Sequence, residues 1–70
     1  MNFNIDYHIY DLRNAQKLSL RALADKSGIS KTEICDIENG LYHPTVYTIC
    51  RLSLALNASP YKLFTMHITD

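Results

Sequence analysis

No sign of charge dominates this chain: seven Lys and Arg stand against seven Asp and Glu, a formal net charge of zero over 70 residues. That balance leaves the chain without the basic surplus that free nucleic-acid binders usually carry. Cysteine is equally scarce. Cys35 and Cys50 are the two present, with no second pair and no histidine at zinc-ligand spacing, so neither a disulfide scaffold nor a metal centre is expected. Two Gly and two Pro beside 47% hydrophobic residues exclude a flexible, low-complexity chain. No apolar run approaches the roughly 20 residues of a membrane-spanning helix. The opening stretch MNFNIDYHIY is too polar for a secretory leader, so a cytoplasmic location is expected. Catalytic signatures are missing as well. His8, His43 and His67 are scattered with no acid or nucleophile at motif spacing, and there is no Gly-rich phosphate loop or carboxylate pair. Neither an enzyme nor a cofactor is expected.

What is present is concentrated between Leu18 and Gly40, LSLRALADKSGISKTEICDIENG. Ser19 is a good N-cap, with Leu18 and Leu23 placed as a hydrophobic staple around it. Leu20, Leu23 and Ala24 continue a helical stripe, and Gly28 falls where a left-handed residue ends a helix at little cost. Ser30 opens a second helix, and Glu33 three residues later completes a capping box. Ile34 and Ile37 form the narrow buried stripe of that helix, which Gly40 closes. Two helices joined by so short a Gly-containing turn must cross steeply, as in a helix-turn-helix. The second helix then turns Lys31, Thr32, Cys35 and Asp36 outward.

Around this stretch the chain reads as a single domain, residues 1–70, small enough to bury only about 60% of its extended surface. Residues 1–4 are expected as a loose arm. Ile5, Ile9 and Leu12 recur at i, i+4, i+7, which predicts a first helix from about Ile5 to Lys17. Pro44 ends the loop Leu41–His43, because the residue before a proline is pushed out of helical geometry. Thr45 caps a fourth helix to about Leu56, apolar around nearly its whole circumference. Ser59 caps a short fifth helix with Pro60 at its favoured first position. Residues 65–70 form a short tail. The expected fold is therefore all-α, with five helices.

In this order and spacing, Ile9, Leu12-Arg13, Leu18-Ser19, Leu23-Ala24, Gly28-Ile29-Ser30, Ile34, Ile37-Glu38-Asn39-Gly40, Pro44-Thr45, and Leu56 before Ser59 form a specific set. The chain, over roughly Ile5 to Phe64, resembles the Cro/repressor-type, or XRE-like, helix-turn-helix family. The resemblance implies a lambda-repressor-like fold with the helix-turn-helix at helices two and three. It implies an ion pair between Arg13 and Glu38 that ties the first helix to the third. It also implies that the third helix enters the major groove of double-stranded DNA, with Lys31, Thr32 and Asp36 at the base-reading positions. Ser30, Arg21, Lys17, Asn39, Tyr42 and His43 fall where the family holds phosphate or stand beside it. Leu20 replaces a phosphate-contacting glutamine common in the family, and the loop Leu41–His43 replaces a basic one.

Two partner readings follow. Tyr47 and Leu54 stand where the family usually keeps polar residues; with Tyr61 they are expected to form a self-association patch. A homodimer of this kind sets two recognition helices about 34 Å apart on a palindromic operator, where it regulates transcription. The alternative is an interaction module or antitoxin-type subunit that uses the same fold to bind a protein. Neutral charge, Asp36, Leu20 and the uncharged loop favour that alternative.

Overall fold

The computed structural model describes residues 1–69. Its elements in chain order are strand β1 (Asn2–Tyr7), helices α1 (Ile9–Ala15), α2 (Leu20–Ser27), α3 (Lys31–Glu38) and α4 (Val46–Leu56), a single 3₁₀ turn (Pro60–Lys62), and strand β2 (Phe64–Thr69). The four helices enclose one core in which Ile9, Leu23, Ile34, Ile37, Leu52, Leu56 and Leu63 are fully buried. Each such side chain stabilises the fold by about 1.5–3 kcal/mol through its removal from water.

The helix boundaries follow local chemistry. Ser19, Ser30 and Thr45 cap α2, α3 and α4, each side-chain oxygen accepting from the backbone amide three residues on. Gly28 ends α2 in the left-handed region at φ +75°. At the end of α3 the Gly40 amide donates to Ile37 O and the Leu41 amide to Asp36 O, at 3.1 and 2.9 Å. That double closure needs a left-handed residue, and Gly40 supplies it at φ +72°. Asn57 serves the same purpose after α4, at φ 52°.

The expectation of five helices and an all-α fold is corrected in four places. Residues 1–4 are not a loose arm: they enter β1, which pairs antiparallel with β2 from Asn2↔Thr69 to Tyr7↔Phe64. The 65–70 tail is likewise a strand as far as Thr69, Asp70 lying outside the described residues. The first helix begins at Ile9 rather than Ile5, and the fifth is only the 3₁₀ turn Pro60–Lys62. Ile5 fits a helical spacing with Ile9 and Leu12, but it equally continues the alternation Phe3, Ile5, Tyr7. The second pattern prevails because a matching alternation, Phe64, Met66, Ile68, arrives from the far end of the chain to pair with it. Phe64 leaves helical geometry for this strand. Leu63, buried just before it, accepts a hydrogen bond from the His8 amide at 2.8 Å and locks the two strands to the helical body.

Candidate nucleic-acid interface

α3 is anchored from behind. The Arg13 guanidinium crosses from α1 and grips Glu38 with two parallel hydrogen bonds, Nε to Oε2 at 2.8 Å and Nη2 to Oε1 at 3.0 Å. Its third arm, Nη1, donates to the Leu18 carbonyl at 3.0 Å, so one side chain joins α1, the start of α2 and the end of α3. The two side chains are only 10% and 7% exposed. The hydrogen bond to Glu38 raises the Arg13 pKa against the opposing effect of burial, so the guanidinium keeps its charge. Tyr10 lies under the same group, its ring centre 5.3 Å from Cζ.

The other end of α3 is held differently from expectation. Ser30 Oγ accepts from the Glu33 amide at 3.1 Å, as a cap should. The Glu33 carboxylate, however, does not turn back to close a capping box. It accepts from Thr48 Oγ1 at 3.3 Å, and Thr48 in turn receives the Thr45 hydroxyl at 3.2 Å. A chain of hydroxyls therefore ties the cap of α4 to the first turn of α3. Burial explains the choice: Thr48 is buried and needs an acceptor, whereas the Ser30 amide is at an exposed residue that water reaches.

With both ends fixed, the outward face of α3 can be read directly. Lys31 and Thr32 are exposed on its first turn, and Cys35 and Asp36 are half-buried below them. Asn39 is exposed at the helix end, its Nδ2 donating to Cys35 Sγ at 3.4 Å. A shallow groove of about 320 Å³ runs between Ser30, Thr32, Glu33, Asp36 and Tyr42, so the loop after α3 is brought against the helix. His43 is tied to β1, its Nδ1 lying 2.8 Å from the Tyr7 hydroxyl. Lys17, in the left-handed region at φ 57°, and Arg21, on the first turn of α2, are both exposed. Tyr47 and Leu54 on α4 and Tyr61 in the 3₁₀ turn are 67%, 80% and 82% exposed. Among the described residues no three His, Cys, Asp or Glu side chains gather as a metal site, and no helix is long and apolar enough to cross a membrane.

Two positioning residues were not singled out from sequence. Arg51 Nε donates to the Ser27 carbonyl at 2.8 Å, clasping α4 to the turn between α2 and α3, while its guanidinium lies 5.9 Å from the Tyr47 ring centre. Gln16 Nε2 donates to the Leu56 carbonyl and caps the end of α4 from α1. Arg51 left a signal, since it is the single charged residue in VYTICRLSLAL. Gln16 left none.

A helix capped at its start, pinned at its end by a buried ion pair and leaning on a preceding helix through a glycine turn defines a helix-turn-helix protein. The family model described as Helix-turn-helix (HTH_3) matches residues 9–63, and the chain belongs to this XRE-type family of DNA-binding transcription regulators, not to a family of enzymes. The restriction-modification controller protein C.AhdI from Aeromonas hydrophila is similar in structure. The likeness has a TM-score of 0.76 at 29% identity, over 79% of this chain and 83% of that one. A transcriptional regulator of the same family from Vibrio cholerae also matches with a TM-score of 0.76, at 34% identity over 79% of this chain and 31% of that one. In sequence, the chain is 37% identical over 49 residues to the ImmF control region 10 kDa protein of Bacillus phage phi105. That match takes in 70% of this chain and 54% of the phage protein, so the chain spans about half the length of this relative.

Proposed function

We propose that this chain is a sequence-specific regulator of transcription that binds a palindromic operator as a homodimer. In this reading α3 enters the major groove. Lys31 donates to guanine O6 and N7, Thr32 contacts a base edge or a thymine methyl, and Asp36 accepts from cytosine N4. Lys17, Arg21, Ser30, Asn39 and Tyr42 hold the flanking phosphates, and His43 joins them through Nε2 while Tyr7 occupies Nδ1. Bound protein acts by occupancy, blocking or recruiting the transcription machinery. The observation that carries the reading is the exposure of Lys31 and Thr32 on a helix fixed at both ends. A controller and a phage control-region protein among the relatives suit a regulatory role.

Selection of bound duplexes from a random pool at low salt tests this. An enriched palindrome that disappears with Lys31→Ala is expected; no enrichment refutes the DNA reading. With a selected duplex in hand, affinity should fall steeply as salt rises; Lys17→Ala, which removes a phosphate contact and the counterion release it drives, should reduce the logarithmic salt slope by about 1, whereas Lys31→Ala should relax the preference at the guanine it reads. A second reading, a protein partner, draws support from the uncharged loop Leu41–His43 and the exposed Tyr47, Leu54 and Tyr61. It predicts partner binding that is nearly indifferent to salt.

A further inference from the structure

The two-stranded sheet separates its side chains by chemistry. The register puts Phe3 opposite Ile68, Ile5 opposite Met66 and Tyr7 opposite Phe64, so one face is apolar along its whole length. Asn2, Asn4, Asp6, Thr65, His67 and Thr69 take the other face, where His67 and Asp6 meet at 2.9 Å. The half of the apolar face nearest the helices is used: Tyr7 and Phe64 pack against the core. The outer half is not. Phe3, Met66 and Ile68 remain 56%, 55% and 61% exposed. A two-stranded ribbon with an uncovered apolar face is marginally stable in water.

Beside this protruding tip the same face falls into a recess of about 470 Å³. Ile5, Tyr7 and Phe64 form one wall and Val46, Cys50 and Tyr61 the other. An apolar projection thus lies next to an apolar recess on one surface, the arrangement a two-fold axis uses twice. Among the described residues no Lys, Arg, Asp or Glu lines the recess, and the chain's net charge is zero, so two copies approach without net repulsion.

Area supports the same occupant. Taking about 150–250 Å² for a whole aromatic side chain and somewhat less for an aliphatic one, the exposed parts of Phe3, Met66, Ile68, Val46 and Tyr61 amount to roughly 600 Å². Specific interfaces begin at about 600 Å² from each partner. The ribbon tip supplies roughly 300 Å² of this.

We infer that the partner of this face is a second copy of the chain, and that the ribbon tip, Phe3 with Met66 and Ile68, seats in the recess of the other subunit while the reciprocal contact forms across the two-fold axis. The inference rests on the homodimer reading above and adds the element that makes the contact. It assigns the two strands, which lie outside the matched family region 9–63, the task of assembly.

Sedimentation equilibrium from 1 to 500 µM tests both levels. The wild type is expected to dimerise. Phe3→Ser combined with Ile68→Thr should raise the dimer dissociation constant at least about tenfold, as loss of buried anchors does. Circular dichroism should show its helical signal unchanged. A wild type that stays monomeric at 500 µM refutes the homodimer reading and the inference together. A dimer that survives the ribbon double variant with unchanged affinity but is broken by Leu54→Glu keeps the homodimer and overturns the ribbon contact. A second measurement covers a variant that fails to fold. Phe3→Cys under mild oxidation should give a disulfide-linked dimer that disappears when Cys50→Ser is added; linkage independent of Cys50 overturns the seating of the tip in the recess.

Discussion

Replacing Arg13 with alanine should unfold a large part of this domain at temperatures the wild type tolerates. The side chain makes three hydrogen bonds, two to the Glu38 carboxylate and one to the Leu18 carbonyl. Its removal strands a carboxylate that is only 7% exposed. Leaving one member of such a buried pair without its partner costs about 3–5 kcal/mol. A 70-residue domain is held by only about 4–10 kcal/mol in total, from roughly 0.05–0.15 kcal/mol per residue. At roughly 4–8 °C per kcal/mol for a domain of this size, a loss of about 3 kcal/mol lowers Tm by on the order of 12–24 °C. Urea titration followed by circular dichroism measures the loss directly, with the slope of the transition checked for constancy. The companion variant isolates the cause: Arg13→Met with Glu38→Leu replaces both charges by apolar side chains, and its stability should return to within about 1–2 kcal/mol of wild type. A loss below about 1 kcal/mol for Arg13→Ala, or a double variant no better than the single, would refute the account of an uncompensated buried charge.

Other consequences concern the turn, the cap and the ribbon. Gly28→Ala should destabilise by about 1–2 kcal/mol from its left-handed backbone. A Cβ there would also stand 2.5 Å from Arg51 Nη2, so the cost should shrink in an Arg51→Ala background; thermal melts of the four variants in the cycle check this. Ser30→Ala removes the cap on α3 and should cost about 1 kcal/mol by urea titration. Burial raises the Tyr7 pKa above its ordinary 10.0, because the phenolate is the form that burial disfavours. Its contribution is therefore complete below pH 10 and is lost as pH rises through the higher folded value. Urea midpoints at pH 8 and pH 11 should show a smaller alkaline loss in Tyr7→Phe than in wild type. Arg13 does not confound that window, since its raised pKa keeps it charged throughout.

Legibility in the sequence followed the range of the interaction responsible. Ser19, Ser30 and Thr45 could be read as caps because each bonds an amide three residues away, and Gly28 and Gly40 as helix ends because their backbone region tolerates no side chain cheaply. The outward placement of Lys31 and Thr32 followed from the opposite placement of Ile34 and Ile37 on the same short helix. Glu33 was legible only in part. Its amide meets Ser30 locally, but its carboxylate goes to Thr48, fifteen positions away, and nothing in the local pattern ranks that acceptor above the helix start.

The sheet marks the boundary. Local order alone determined the capped helix-turn-helix and the face it turns to solvent, because helical hydrogen bonds and caps join residues three or four apart. Only the tertiary structure decided that Phe3, Ile5 and Tyr7 lie in a strand, because their partners Phe64, Met66 and Ile68 come from the opposite end of the chain. The same holds for Arg51 on Ser27 and Gln16 on Leu56, contacts that exist only once the helices have packed. A pairing between distant segments must overcome the entropy of closing the loop between them, and it forms because the intervening core brings the ends together.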